Sequence, residues 1–259
     1  IISTSILSLK TIINDIIILV ITLEDLKMKI AAISDIHGNI YALMKALEDI
    51  DEQKVDKIIC LGDFVGYGPH PNEVIALIKR REIPCIKGNY DVSVVNGAYT
   101  YIRNTTINSF SLPWTCSELR TSNKFYLDSL PEKLKYTVNG VNLCFTHGSP
   151  NLINEYLFED AENTKKVMEN FEDDVLICAH THIPFVKKVN DKLIVNVGSI
   201  GKPKIGRPNI TYAILNIDDA GNVDVTIREL EYEYRRIMKD CIMLNFPSAI
   251  VNSYETGQE

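Results

Sequence analysis

The sequence offers nothing that would divide it. It has no Pro-, Gly- or Ser-rich linker, no long run of like charge, no internal repeat and no low-complexity tract. Its 259 residues therefore read as one large domain with room for a substantial core. Cysteine pairs are missing too. Cys60, Cys85, Cys116, Cys144, Cys178 and Cys241 form no CxxC, and most sit in apolar runs such as IICLG and NLCFT. Cysteine there acts as a small hydrophobe, so reduced core thiols are expected and not a disulfide framework or a thiolate cluster. Basic charge is short: 27 Lys and Arg stand against 34 Asp and Glu, a formal net charge of -7. That balance argues against nucleic acid as a partner but leaves small anionic substrates open, because bound dications would reverse the local field.

No apolar run is long enough for a membrane. The longest near the N-terminus, residues 16–23, falls far short of the ~20 residues a span requires. A signal peptide's basic start and small-residue cleavage site are also lacking, so a cytoplasmic location is expected. The chain begins with Ile, while Met28 directly precedes the first convincing strand, KIAAIS. Residues 1–27 are accordingly expected to be a non-native upstream extension, with residues 28–259 forming the functional domain.

From there short apolar runs alternate with helical patterns. Strands are expected at KIAAIS (29–34), KIICL (57–61) and IPCIK (83–87), with helices over residues 39–50 and about 72–81. Residues 100–130 look helical with a break near Pro113. KLKYTV and VNLCFT flank Asn139-Gly140, a strong hairpin signal. A helix near 160–171, the strand DVLICA (174–179), and strands near 185–189, 192–197, 210–217 and 222–230 follow, while the tail after Ile237 has too little pattern to place. The order predicts an α/β fold, parallel first and antiparallel later, as a sandwich of mixed sheets with helices outside.

The chemistry sits where these strands stop. KIAAIS ends at Asp35, with His37 two residues on; KIICLG ends at Asp63, IPCIKG at Asn89, NLCFT at His147, and DVLICA at His180 with His182 beyond. Ligands in α/β sheets bind outside the strands' carboxyl ends, so five strands would deliver seven O and N donors to one edge. Singly each piece is weak. D-x-H or GD after a strand is common, and H-x-H can be a surface pair or a single-metal site. Their order and shared location carry the inference: four of the five histidines directly follow expected strands. Carboxylate, amide and imidazole suit Mn, Fe, Zn, Co or Ni.

In this order D-x-H, GD, GN-x-D, HG and H-x-H resemble the calcineurin-like metallophosphoesterase superfamily. SDIHGNIYAL, CLGDFVGYGPHPNEV, IKGNYD, FTHGSP and NVGSIGKPKIGRP are similar to its small prokaryotic phosphodiesterases, the diadenosine tetraphosphatase-like branch. The resemblance implies a calcineurin-like β-sandwich with two divalent ions, manganese being the expected activator. Asp35, His37, Asp63 and His182 would hold one ion, and Asp63, Asn89, His147 and His180 the other. An activated hydroxide would then attack a small phosphodiester or phosphoanhydride, such as a dinucleoside polyphosphate or nucleotide. Catalytic weight falls on Asp63 as the bridge and on Asn89.

Many members of the superfamily carry His after that Asn, as acid or phosphate ligand; here the residue is Tyr90. A phenol with a pKa near ~10 shuttles protons poorly at neutral pH, which favours leaving groups needing little protonation. His70, in the loop GYGPHPNE, is then the one imidazole not assigned to metal and is expected to assist the leaving group or hold a phosphate. One reading of that loop is a plain Gly/Pro turn into a helix; in the functional reading Tyr67 would face substrate, with Tyr90 beside it. Lys202, Lys204 and Arg207 in GSIGKPKIGRP would form a phosphate clamp or, more blandly, a solvated basic turn. Phe110 and Trp114 read as core. The rival functions are a serine/threonine protein phosphatase, a nuclease, and a metal-free scaffold resembling the retromer subunit of this fold. Retention of all seven ligands counts against the scaffold.

Overall fold

The computed structural model describes residues 8–13, 16–23 and 27–258. The strands are β1 (Ser8–Ile13), β2 (Ile16–Leu23), β3 (Met28–Ile33), β4 (Lys57–Cys60), β5 (Lys133–Val138), β6 (Val141–Thr146), β7 (Val175–Cys178), β8 (Phe185–Val189), β9 (Lys192–Asn196), β10 (Ile210–Ile217) and β11 (Val223–Leu230). The helices are α1 (Ile40–Glu52), α2 (Pro71–Arg80), α3 (Asn89–Asn96), α4 (Thr106–Glu118), α5 (Thr121–Ser129), α6 (Glu162–Glu169), α7 (Tyr234–Met243) and α8 (Ser248–Thr256).

They build two mixed sheets, one ordered β1-β2-β5-β6-β7-β9-β8 and the other β11-β10-β3-β4. Strand alternation explains how the sheets meet. Ile30 and Ala32 of β3, with Ile59, Ala213 and Leu215, face Phe145, Val175, Ile177 and Val195 of the other sheet in a common core. Ala31 and Ile33 point the opposite way, into a second core under the helices with Leu43, Ile78, Ile237 and Ile250. A strand buried on both faces has no polar side to show, which is why KIAAIS is an unbroken apolar run. On the outer face of the larger sheet, Leu176, Cys178 and Ile194 pack with Met168 and Phe171 beside α6. Asn139 and Gly140 both take positive φ, 48° and 80°, as the two-residue turn between β5 and β6 requires.

Two expectations need correction, and one segment left unplaced acquires a structure. IPCIK is not a strand: only Cys85 bridges to Cys60, through Cys60 N–H to Pro84 O and Ile86 N–H to Cys60 O, both 2.9 Å. Lys87 N–H then turns to Pro131 O at 2.9 Å, which ends the ladder. The helical break falls not at Pro113, which lies inside α4, but at Leu119 and Arg120. Asn72, from α2, captures that break by donating to Glu118 O and accepting from Arg120 N–H, each 3.0 Å. The tail after Ile237 is helical, and Phe246 packs on Phe110 and Trp114 as part of the core.

Of the N-terminal segment, β1 and β2 pair antiparallel, and β2 joins β5 through Thr22–Thr137 and Leu23–Val138. Residues 1–7, 14, 15 and 24–26, on which the expected extension also falls, lie outside the described residues. No helix among the described residues is long and apolar enough to cross a membrane.

Candidate metal centre

The seven donors sit at the carboxyl ends of strands from both sheets. Asp35 and His37 follow β3 and Asp63 follows β4, while His147 follows β6 and His180 and His182 follow β7. Asn89 opens α3 just past the Cys85 bridge. The parallel pairing of β3 and β4 continues into their loops: Asp35 N–H bonds Gly62 O at 3.1 Å, and His37 N–H bonds Asp63 O at 2.9 Å. Turning the side chains inward bends the backbone. Asp35, His37, Asp63, His180 and His182 all have positive φ, between 46° and 65°. Non-glycine residues avoid that region, at a cost of order 1–3 kcal/mol each, and such strain gathers at functional sites.

All seven donors are buried. Asp35 Oδ1 lies 3.2 Å from His182 Nε2 and 3.6 Å from His37 Nε2. Asp63 Oδ2 lies 3.6 Å from His37 Nε2 and 3.5 Å from His147 Nε2. Asn89 Oδ1 is 2.8 Å from His147 Nε2, and the His147 and His180 rings meet edge to face at 5.2 Å. The contacts thus gather Asp35, His37 and His182 on one side and Asn89, His147 and His180 on the other, with Asp63 between. The other Asp63 oxygen, Oδ1, accepts Tyr90 N–H at 2.8 Å.

Backbone carbonyls set the imidazoles. Nδ1 of His37 meets Val65 O at 2.9 Å, Nδ1 of His147 meets Leu61 O at 2.8 Å, and Nδ1 of His182 meets Lys202 O. A carbonyl only accepts, so each Nδ1 donates and each Nε2 points into the site. His37 and His182 then bring two Nε2 lone pairs within 3.3 Å of each other. Asp35 Oδ1 and His180 Nε2 are buried with no hydrogen-bond partner. Acceptors buried face to face without a donor are what a cation between them would satisfy, so the donor set fits divalent metal.

Electrostatics agree. Burial opposes ionisation of Asp35 and Asp63, but neighbouring histidines more than offset it and hold both carboxyls below their ordinary range. Burial, with His147 adding repulsion, lowers His180 to about 3; burial lowers His182 to about 4. Burial would lower His147 as well, yet Asp63 and Asp35 raise it to about 9.

Asp91, the last residue of GN-x-D, is a supporting group that sequence reasoning did not single out. Its Oδ2 accepts Asp63 N–H at 2.8 Å and Gly88 N–H at 2.9 Å, and its Oδ1 accepts Phe64 N–H at 3.0 Å. One buried carboxyl group therefore ties the Asp63 loop to the Asn89 loop; burial and the neighbouring Asp63 raise its pKa to about 8, against the backbone N–H donors that favour the ionised form. Gly88 is needed where the two cross, because a Cβ there would overlap the Asp63 carboxylate.

A cavity of about 650 Å³ opens over the centre, floored by His37, Asp63, Asn89, His180 and His182. Tyr67, Tyr90, Lys202 and Lys204 line it. Tyr90 is buried, and its hydroxyl donates to Ser111 Oγ at 2.6 Å. His70 and Arg207 do not line it. His70 Nε2 instead lies 3.0 Å from Asp240 Oδ2 of α7, because the Gly-Pro loop hands it to the start of α2. Arg207 forks onto Glu229 of β11 at 2.5 Å. Tyr101, Arg103, Tyr156 and Phe158 also line the cavity. Tyr156 and Phe158 come from an irregular segment whose spacing gave no signal, whereas Tyr101 and Arg103 lie in residues 100–105, expected to be helical but irregular ahead of α4.

With this geometry described, comparison with known proteins is direct. Residues 28–220 match the calcineurin-like phosphoesterase superfamily domain. The protein MJ0912 of Methanocaldococcus jannaschii is 31% identical over 238 residues, spanning 85% of this chain and 95% of its own. Phosphodiesterase YfcE of Escherichia coli K12 is 26% identical over 201 residues, 74% of this chain and 89% of its own. The crystal structure of a metallophosphoesterase from Sphaerobacter thermophilus superposes with a TM-score of 0.74 at 27% identity, over 89% of this chain and 99% of that one. The chain belongs to the calcineurin-like phosphoesterase superfamily, which makes it a phosphoester hydrolase of a family that uses divalent metals, and it carries candidate metal-ligand groups in Asp35, His37 and His182 and in Asp35, Asp63 and His147.

Proposed function

We propose that the protein hydrolyses a small phosphodiester or phosphoanhydride, such as a nucleotide or dinucleoside polyphosphate, at a centre of two divalent cations. The observation that carries this is the convergence of buried ligand atoms: Asp35 Oδ1 and His180 Nε2, which have no hydrogen-bond partner, and the facing Nε2 atoms of His37 and His182, whose Nδ1 atoms are held by carbonyls. Asp35, His37, Asp63 and His182 would hold one cation; Asp63, Asn89, His147 and His180 the other. Bound there, two dications supply a nucleophile from water near neutral pH and neutralise charge developing on the phosphoryl oxygens. Since Asp63 Oδ1 is engaged by Tyr90 N–H, Oδ2 is the oxygen that faces both groups of ligands.

The chain's own residues narrow the substrate. Tyr90 cannot readily protonate a leaving group: burial lifts its phenol above the ordinary range, and its proton is committed to Ser111. His70 is engaged by Asp240. A leaving group stable without a proton, such as a nucleoside phosphate, suits such a site better than a serine or threonine alkoxide. Lys202 and Lys204 line the cavity as partners for its phosphates. The free thiols of all six cysteines fit a reducing cytoplasm, where we place the protein with manganese as activator.

The test is metal content with activity on a panel of dinucleoside polyphosphates, cyclic nucleotides, phosphoprotein and single-stranded DNA. Two ions per chain, loss of turnover on chelation, and a collapse of activity in Asp63→Ala are expected. Metal-free turnover, or full activity in that variant, would overturn the reading.

A further inference from the structure

The cavity holds chemistry that a single phosphate does not use. Apart from the ligand Asp63, its lining carries no acid among the described residues, while Arg103, Lys202 and Lys204 are cationic. Aromatic rings run outward from the metal centre to its mouth. The Tyr156 ring lies 4.1 Å from that of His180, tilted by 34°. Beyond it Phe158 lies parallel to Tyr156, within 4° at 5.8 Å. The Arg103 guanidinium sits over Tyr156, 5.5 Å from its centroid. Phe158 is 44% exposed at this mouth, with Tyr101 and Ile183 also exposed around it. The exposed Phe158 ring beside a polar, cationic cavity calls for a planar apolar partner.

We infer that the ledge of Tyr156 and Phe158 is a subsite for the base of a nucleotide, with Arg103 and Lys204 taking anionic charge beyond the phosphate at the centre. This rests on the reading above and assigns residues to the base of its nucleotide, so that nucleotide esters and anhydrides are preferred to simple alkyl phosphates. Ring stacking suits the ledge because every nucleobase has a π-face, and the guanidinium over Tyr156 can serve a base or a phosphate. The volume of about 650 Å³ is within the range of small-molecule sites and leaves room for a nucleotide.

Two measurements on the metal-loaded protein test it. The first compares thymidine 5′-(p-nitrophenyl phosphate) with methyl p-nitrophenyl phosphate, which share a leaving group. The wild type should favour the nucleoside ester in kcat/KM, and Phe158→Ala should cut that preference about 10-fold, chiefly through KM. The second is calorimetric titration with AMP and with inorganic phosphate. Phe158→Ala should weaken AMP about 10-fold and phosphate far less, and Arg103→Ala should weaken ADP more than AMP. Equal losses for AMP and phosphate, or a wild type indifferent to the nucleoside, would overturn the subsite while leaving the hydrolase intact. If neither ester turns over, the AMP titration alone decides the ledge.

Discussion

Removing the Asp91 carboxylate should damage the centre from behind, without touching a donor. In Asp91→Ala the N–H groups of Asp63, Phe64 and Gly88 lose their acceptor together. The carboxylate is fully buried, so water does not readily replace it. A buried N–H left unpaired costs about 1–3 kcal/mol, and partial relaxation puts the sum at roughly 3–6 kcal/mol. Asp91→Asn is milder. Its amide oxygen can keep the bonds from Asp63 and Gly88, but its NH2 then faces the Phe64 N–H, so one bond is lost, worth roughly 1–3 kcal/mol. At ~2–4 °C per kcal/mol for a chain of this size, Asn should lower Tm by about 2–12 °C, with Ala lowering it further. Asp63 and Asn89 lose their common anchor, so metal affinity should fall about 10- to 100-fold, as for other outer partners of metal ligands. Scanning calorimetry of the metal-free and metal-loaded forms, with a metal titration, reads both effects. An Asp91→Ala protein that melts within a degree of wild type and binds metal unchanged would refute the reasoning.

Proton release offers a second check. Metal-free His147, raised to about 9 by Asp63 and Asp35 against burial, is protonated at pH 7, whereas His180 and His182, lowered to about 3 and 4, are already neutral. Metal uptake at pH 7 should therefore release about one proton, read by calorimetry in buffers of different ionisation heat, and affinity should rise with pH up to about 9. The sign for the metal-free fold follows: His147 contributes stability below ~6.5 that is lost as pH rises through about 9, whereas the two lowered histidines cost stability as pH falls below ~6.5. Metal-free Tm should thus peak near pH ~6–7. A chain starting at Met28 should melt within a few degrees of the full chain and keep its activity, because every proposed ligand lies after it; loss of either property would make residues 1–27 structural. His70→Ala should slow alkyl and aryl phosphodiesters by the same modest factor, since His70 is engaged by Asp240 and not by the cavity; a selective loss of ~10²-fold on the alkyl ester would restore His70 as the acid.

The donors were legible because strand ends are legible. An apolar run buried on both faces stops where the chain must turn, and Asp35, Asp63, His147 and His180 stand at those stops. Hairpin chemistry was equally local, since Asn139-Gly140 needs no distant partner to adopt positive φ. What sequence missed depends on contacts between remote segments. Nothing near Leu119 shows that Asn72 will hold the helical break there, 48 residues before Arg120. Nothing near Asp91 shows that its carboxylate will reach back 28 residues to the Asp63 N–H. His70 misled for the same reason: Asp240, its partner, is 170 residues away in a tail with no clear pattern. The ledge residues Tyr156 and Phe158 lie in irregular chain, where no periodicity distinguishes a ring facing a cavity from one facing solvent.

Neither sheet owns the centre. One contributes Asp35, His37 and Asp63, the other His147, His180 and His182, across a seam filled by Ile30, Ile59, Phe145 and Ile177. A cation bound there works as a rivet between two plates, and the seam is the gasket that fixes their spacing. A slide of one plate by a fraction of an ångström changes every distance across the joint at once, whereas the same slack beneath helices that carry no ligand, such as α7 and α8, changes none of them. Tolerance to mutation should then be lopsided: of two core substitutions with equal thermodynamic cost, the one in the gasket spoils metal geometry and the one beneath α7 or α8 spares it, while α3, which carries Asn89 and Asp91, behaves like the gasket.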